Sequence, residues 1–358
     1  MKVFTVVGAR PQFIKAAVVS HAINETEGLE EVLVHTGQHF DANMSQVFFE
    51  QMRIPKPTHN LGINGVSHGK MTGRMLEGLE ELMLKEKPDM VLVYGDTNST
   101  LAGALAASKQ HIPVAHVEAG LRSFNMKMPE EINRILTDRI SAILFCPTDT
   151  ALQNLSKEGF VDFDIKIVPC GDVMYDASLH FAQVADQKQI EIPKGKYILT
   201  TLHREENTSS PERLSSIVEA LNKIHKEIPV YMPLHPGTAN RLKSIDVKPQ
   251  FNLLEPLGYL EMIKYIKGAK LIMTDSGGLQ KEAYFFGKYC ITMREETEWI
   301  ELVSNGFNQL AGWKKEQILQ AFEIASDKEP FETGALYGDG DAAKKIASSI
   351  AEYFDNTP

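Results

Sequence analysis

Three carboxylates and two arginines share the stretch from His116 to Arg134, HVEAGLRSFNMKMPEEINR, and two of the carboxylates frame a loop. Glu118 and Glu130 flank a loop that also holds Arg122, Asn125 and Lys127, and Arg134 closes it. A pair of carboxylates is the usual equipment for moving a proton off one face of a molecule and onto another. Arginines beside them suit anionic oxygens. The stretch reads as one wall of an active site. Asp96, in Gly95-Asp-Thr-Asn-Ser-Thr100, supplies a further carboxylate, though the same residue serves equally well as a helix cap.

Four further groups have chemistry-bearing types. Arg10 and Lys15 follow Gly8 and fall where a diphosphate would meet a helix start, or else are plain surface charges. His203 sits beside Arg204 in Thr201-Leu-His-Arg-Glu-Glu-Asn207; a lone histidine is more often structural. Ser276-Gly277-Gly278 combines small residues with a helix start, where backbone amides bind phosphate oxygens, and Glu282, one turn in, suits the two hydroxyls of a ribose. His235 and Arg241 are weaker candidates on another strand-to-helix loop, and Trp299 and Trp313 read as packing residues.

Each candidate needs an element to hold it. Apolar, β-branched runs precede almost all of them: Val3–Val7, Met90–Tyr94, Ile112–Val117, Tyr197–Thr201 and Lys270–Thr274. These read as buried parallel strands, so the loops after them lie at the carboxyl edge of a sheet, where open α/β sheets place ligands. Pro129, Glu130 and Glu131 open a helix with proline in first position and acids at the positive dipole end. Helices are also expected over 43–51, from about Ser67 to Lys85, and from Leu101 to Gln110. Strand–helix alternation runs through two successive halves, predicting an α/β chain of two Rossmann-like domains facing one another. The expected division is residues 1–170 and 171–341, the latter binding nucleotide, with a final helix at 342–356 packing back on the first domain.

Composition narrows the classes. A chain of 358 residues accommodates two full cores. The net charge of -10 argues against a bulk nucleic-acid binder while leaving room for a local cationic site. No apolar run is long enough for a membrane span and no signal peptide is evident, which places the expected protein in the cytoplasm. Three widely spaced cysteines suit reduced, buried thiols rather than a metal site. Neither GxGxxG nor a P-loop occurs.

Taken together, Gly8-Ala-Arg-Pro11, Thr36-Gly-Gln-His39, Gly95-Asp-Thr97, His116-Val-Glu-Ala-Gly-Leu-Arg122, Pro129-Glu-Glu-Ile-Asn-Arg134, His203-Arg-Glu-Glu-Asn207 and Thr274-Asp-Ser-Gly-Gly278 resemble the bacterial non-hydrolysing UDP-N-acetylglucosamine 2-epimerases. The resemblance spans about residues 3 to 300 in the family's order. It implies a GT-B-like fold with the UDP-sugar in the cleft between the domains, a homodimer, and no redox cofactor or metal. It further implies elimination of UDP to a 2-acetamidoglucal and re-addition after a proton reaches the other face of C2, in the service of surface polysaccharide. Asp96, Glu118 and Glu130 become the acid/base candidates and His203 a catalytic group at the departing UDP. Arg10, His203 and the Ser276-Gly277-Gly278 start would grip the diphosphate, and Lys15, Arg134 and Glu282 would complete substrate binding, with Arg122 and His235 as further contacts.

The chain departs from the family pattern in places. Ala9 and Gln12 replace Thr and Glu, and the spacing from His39 to Met44 is longer than that associated with allosteric activation. The loop Ser123–Met128 is short, and Glu298-Trp299 stands where Glu-Arg-Pro is common. These features resemble the branch acting on UDP-2,3-diacetamido-2,3-dideoxyglucuronic acid, whose carboxylate Lys127 would meet, unless it is a plain solvated loop lysine. Competing readings are a hydrolysing relative, a GT-B glycosyltransferase and a binding-only protein.

Overall fold

The computed structural model describes residues 1–38 and 56–355. The helix expected over 43–51 and the His39-to-Met44 spacing lie outside the described residues. The chain divides into two compact units, Met1–Leu179 together with the segment from Ala335 onward, and His180–Gly334.

The first unit runs β1 (Lys2–Val7), α1 (Arg10–Glu25), β2 (Glu30–His35), β3 (His59–Asn60), α2 (His68–Glu86), β4 (Met90–Tyr94), α3 (Asn98–Lys109), β5 (Val114–Val117), α4 (Pro129–Ile140), β6 (Ile143–Cys146), α5 (Asp149–Lys157) and β7 (Lys166–Pro169). Its strands form one parallel sheet in the order β3-β2-β1-β4-β5-β6-β7. Helices cover the sheet, which is why β4 is apolar throughout and fully buried. Met75, Leu79 and Met83 of α2 and the alanines of α3 pack against Phe4, Val6, Val91 and Val93. Gly103 lets α3 approach this closely, since a Cβ there would sit 3.2 Å from Val6.

α6 (Val173–Asp186) carries the chain into the second unit. There follow β8 (Ile198–Thr201), α7 (Glu205–Thr208), α8 (Pro211–His225), β9 (Val230–Pro233), α9 (Pro236–Lys243), β10 (Asn252–Leu254), α10 (Tyr259–Gly268), β11 (Leu271–Thr274), α11 (Gly277–Phe285), β12 (Cys290–Thr292), α12 (Ile300–Ser304), β13 (Asn308–Leu310) and α13 (Lys315–Ser326). The second sheet is also parallel, in the order β10-β9-β8-β11-β12-β13. The last helix, α14 (Ala342–Asp355), returns to the first unit and packs on α1. Asp176 of α6 accepts a hydrogen bond from the Ala343 amide, 2.7 Å.

Strand order places the candidate residues. β1 lies between β2 and β4, and β8 between β9 and β11, so the connections depart to opposite sides at β1/β4 and at β8/β11. Adjacent βα loops splay apart at such a switch point and leave a crevice for ligand. Arg10 and Lys15 follow β1, Asp96 follows β4, His203 follows β8 and Ser276 follows β11. Glu118 ends β5, which pairs with β4 in the register Tyr94↔Val117, as the strand order predicts for Asp96 and Glu118.

α3 begins three residues earlier than expected. Its cap is Thr97, whose hydroxyl accepts from the Thr100 amide at 3.3 Å, so Asp96 is not the cap and its side chain is spent elsewhere.

Candidate active site

The loop after β1 is closely packed. A Cβ on Gly8 would lie 2.1 Å from Ser99 Oγ and 2.2 Å from Thr36 Oγ1, so only glycine fits. Gln12 bolts this loop to the end of β4. Its Oε1 accepts from the Gly8 and Ala9 amides at 2.8 and 3.0 Å, and its Nε2 donates to the Tyr94 carbonyl at 2.7 Å and Thr97 Oγ1 at 2.9 Å. Arg10 opens α1 and is partly buried. Lys15, one turn on, is buried and its Nζ pairs with Glu118 Oε2. Lys15 is thus the counter-ion of a carboxylate here, where the sequence suggested a phosphate ligand.

Glu118 occupies the left-handed region at φ 71°, an uncommon conformation for a side-chain-bearing residue and one that clusters at functional sites. Its carboxylate lies against Gly95, also left-handed, where a Cβ would sit 3.3 Å from Glu118 Oε2. The next residue, Asp96, pairs through Oδ2 with Arg134 Nη2, and its backbone carbonyl accepts from Asn133 Nδ2 at 2.9 Å. Lys15, Glu118, Asp96 and Arg134 therefore form one cluster at the β4/β5 edge. Glu130 stands exposed in the first turn of α4, and Lys127 is exposed on the preceding loop.

The neighbouring Glu131 has a different task. It is fully buried and accepts from the Ser123 amide (2.9 Å), the Ser123 hydroxyl (2.9 Å) and the Phe124 amide (2.8 Å), besides Arg134 Nη1 at 2.8 Å. Burial alone would raise its carboxyl, but those amides and the Arg134 charge outweigh it and hold the group below the usual carboxylate range.

Arg122 is not placed to bind substrate. Its side chain is wholly enclosed, with Nε and Nη2 donating to the two oxygens of Glu158 at 2.7 and 2.8 Å and Nη1 to Asp138 at 2.7 Å. Burial opposes its charge, yet Glu158 and Asp138 leave the guanidinium more firmly protonated than usual. With Nη1 also donating to the Leu121 carbonyl at 2.7 Å, all three nitrogens of the guanidinium are engaged by protein oxygen.

In the second unit Asp275, fully buried at the end of β11, organises the His203 loop. It accepts from the His203 amide (3.1 Å), the Arg204 amide (3.0 Å) and Asn207 Nδ2 (3.3 Å). The His203 ring is 43% exposed, with Nδ1 3.3 Å from Asp275 Oδ1. Its pKa falls below the ordinary imidazole value, first because the protein strips water from part of the ring; the charges of Arg204 and His235 add to this while Asp275 opposes it. His235 caps α9, its ring Nδ1 accepting from the Gly237 amide at 3.2 Å, so that nitrogen serves the fold while the ring remains exposed.

Ser276 makes no side-chain cap to α11, so the amides of Gly277 and Gly278 remain available as donors. A Cβ on Gly277 would lie 2.1 Å from Glu298 Oε1, whereas none would meet anything at Gly278. Trp299 Nε1 donates to the Gly277 carbonyl at 2.9 Å, and Lys281 stacks over the indole at 4.2 Å. Arg204 and Arg294 approach Glu298 at 3.9 and 3.1 Å. Glu282 is buried one turn into α11. Trp299 thus helps to shape the helix start, beyond simple packing.

Sequence reasoning missed Asp138, Asp275 and Arg294, and read Glu131 only as a helix-start acid. No motif marks them; Asp275 alone had a signal, a carboxylate next to the Ser276-Gly277-Gly278 start. Among the described residues no helix is long and apolar enough to cross a membrane, and no group of His, Cys, Asp or Glu is arranged to hold a metal ion. Cys146, Cys170 and Cys290 are buried free thiols, and burial pushes Cys146 and Cys290 up to about 12.

Known proteins resemble this chain along almost its whole length. A family model described as UDP-N-acetylglucosamine 2-epimerase matches residues 21–351. The UDP-2,3-diacetamido-2,3-dideoxy-D-glucuronate 2-epimerase of Pseudomonas aeruginosa is 57% identical, over 98% of this chain and 100% of its own length. The UDP-N-acetylglucosamine 2-epimerase of Methanocaldococcus jannaschii is 43% identical over 92% of this chain and 93% of its own. The crystal structure of that organism's UDP-GlcNAc 2-epimerase, in complex with UDP-GlcNAc and UDP, matches with a TM-score of 0.89 at 41% identity, covering 98% of this chain and 100% of that one. The GT-B-like α/β fold is therefore shared along almost the whole chain.

Proposed function

The chain belongs to the UDP-N-acetylglucosamine 2-epimerase family, and from that premise we propose that it inverts C2 of a UDP-activated 2-acetamido sugar by eliminating UDP and adding it back. The C2 hydrogen has no neighbouring carbonyl to acidify it. Direct removal and return of that proton would be prohibitively slow. In the proposed route a carboxylate takes the C2 proton while the C1–O bond breaks and its electron pair leaves with UDP, giving an alkene across C1–C2. A second acid then protonates C2 on the opposite face as a UDP oxygen rebinds C1.

The observation that carries this reading is the cluster of Asp96 and Glu118, with Arg134 and Lys15 as counter-ions, and Glu130 is added from the first turn of α4, the helix that supplies Arg134. Three carboxylates provide the base and the acid that the two faces require. Arg10, His203 and the uncapped start of α11 are assigned to the diphosphate, whose developing charge they offset. Glu282 is assigned to the ribose and His235 to the nucleotide's surroundings.

The favoured substrate is UDP-2,3-diacetamido-2,3-dideoxyglucuronate, supported by the 57% identity to an enzyme of that name against 43% to a UDP-N-acetylglucosamine 2-epimerase. UDP-N-acetylglucosamine is the second substrate to test. Incubation with each, followed by NMR of the product, is expected to show the C2 epimer accumulating from the uronate. Free sugar plus UDP as the accumulating product would replace the reading with hydrolysis, and no turnover of either compound would remove it. We place the reaction in the cytoplasm, where it supplies a surface-polysaccharide precursor. A homodimer is consistent with Ile132 and Leu136, 40% and 46% exposed on α4, and sedimentation as a monomer would exclude it.

A further inference from the structure

α4 is amphipathic in the reverse sense. Its buried residues are Glu131, Asn133, Arg134, Thr137 and Asp138, all polar, while Ile132 and Leu136 face outward. Burying charge is costly unless each group is paired and hydrogen-bonded, so this face needs a reason. Glu131 and Arg134 reach the Ser123 loop and Asp96, described above. Asp138, two turns from Glu131, reaches further.

We propose that Asp138 is a positioning residue that sets the two loops carrying Asp96 and Glu118 at once, directly at one and through His116 at the other. Its Oδ2 accepts from the Gly120 amide at 3.1 Å, two residues beyond Glu118. Its Oδ1 faces His116 Nδ1 at 2.7 Å, and His116 Nε2 lies 2.7 Å from the Gly95 carbonyl, one residue before Asp96. A carbonyl only accepts, so His116 Nε2 is the donor of that bond. The His116 and Asp138 side chains have no exposed surface.

The backbone explains why such a clamp is needed. Gly95, Glu118 and Gly120 all lie in the left-handed region, at φ 61°, 71° and 79°. Such conformations persist when surrounding contacts over-determine them. Asp138 supplies contacts to both segments from one rigid helix. Arg122 completes the carboxylate's hydrogen bonds at 2.7 Å and is itself gripped by Glu158, a partly exposed residue that meets the Glu118 loop through the Arg122 side chain and leaves the Gly120 and His116 bonds of Asp138 in place. The Glu158 leg is thus a built-in control for structural weakening alone.

This inference rests on the reading of Asp96 and Glu118 as acid/base groups. The test compares Asp138→Asn, His116→Gln and Glu158→Gln in the full-length protein, below the melting midpoint of each. Measurements are kcat, KM, UDP affinity by calorimetry, and hydrogen exchange of the segments around 95–96 and 118–122. Asp138→Asn and His116→Gln are each expected to lower kcat by about 10- to 100-fold with UDP affinity within about 3-fold, and the double variant to be no worse than the poorer single one. Both should speed exchange in the two segments. Glu158→Gln should lower the midpoint while keeping kcat within about 2-fold. Asp138→Asn and His116→Gln with kcat within about 2-fold of wild type would overturn the proposal. So would losses of kcat that track melting temperature across all three variants. Wild-type protein that turns over neither UDP-sugar, while the two segments still respond to Asp138→Asn, would instead sink the functional reading and leave the clamp standing.

Discussion

The carboxyl edges of the two sheets are built from opposite materials. At the first, carboxylates and cations neutralise one another: Lys15 with Glu118, Arg134 with Asp96 and Glu131, and Arg122 with Asp138. At the second, one buried carboxylate, Asp275, organises backbone amides, while the His203 and Arg204 side chains remain 43% and 38% exposed and a helix starts without a side-chain cap. Groups held in fixed pairs suit proton transfer, which demands geometry within hydrogen-bond reach. An exposed guanidinium, an imidazole and open amides suit an arriving polyanion. On the proposed reading the first edge carries the proton transfers and the second most of the grip on the diphosphate, with Arg10 the exception at the first.

The sharpest way to break that division is Glu118→Gln. The amide cannot take a proton, so turnover should fall by about a thousandfold or more while UDP affinity stays within about tenfold. Unchanged turnover would remove Glu118 from the mechanism. The reciprocal change is Gly277→Val at the second edge. Its side chain would displace Glu298 and screen the helix start, weakening UDP binding by about tenfold or more in calorimetry. Equal loss of kcat with UDP affinity intact would erase the distinction between the edges.

A smaller effect contrasts two buried acids of the first unit. Burial alone would raise Asp138, but the His116 hydrogen bond and charge, with Arg122, hold it below the usual carboxylate range. Asp176, away from this edge, makes no ion pair among the described residues; burial pushes it up to about 6, despite the amides of Ala343 and Ala342, and the charges of Asp172 and Asp341 add to the rise. A carboxyl raised in the folded state contributes stability below its unfolded value, about 4, that is lost as pH climbs through about 6. Asp176→Asn should therefore stabilise the protein above pH 6 by about 2 kcal/mol and flatten that slope, as read by denaturant unfolding at several pH values. The least consequential pair is Asp186 with Lys264 and Lys267, on the surface of the second unit. Asp186→Asn should change unfolding by less than about 0.5 kcal/mol.

Much of the framework was legible because local rules and tertiary structure agree. Apolar runs bounded by glycine became buried strands, Pro129 opened its helix, and the helix expected from about Ser67 to Lys85 spans His68–Glu86. What was hidden depended on partners distant in sequence. Lys15 looks like a phosphate ligand until folding places it against Glu118, 103 residues away. Arg122 looks available until Glu158 and Asp138 enclose it. The polar face of α4 contradicts the rule that the apolar stripe points inward, so periodicity alone turns that helix the wrong way and conceals Asp138. β12 and β13, three residues each, do not read as strands from the sequence, being too short for alternation to register without a longer apolar run around them.

The most direct test of elimination and re-addition follows oxygen and hydrogen together. The favoured UDP-sugar, carrying ¹⁸O in the bond between C1 and the diphosphate, is incubated with the enzyme in deuterated water. The label is then located by ³¹P NMR and C2 by ¹H NMR. The account predicts that ¹⁸O scrambles into the non-bridging positions of the β-phosphate while deuterium enters C2. Deuterium at C2 with the ¹⁸O still fixed in the bridge would contradict it, because the C1–O bond would never have broken.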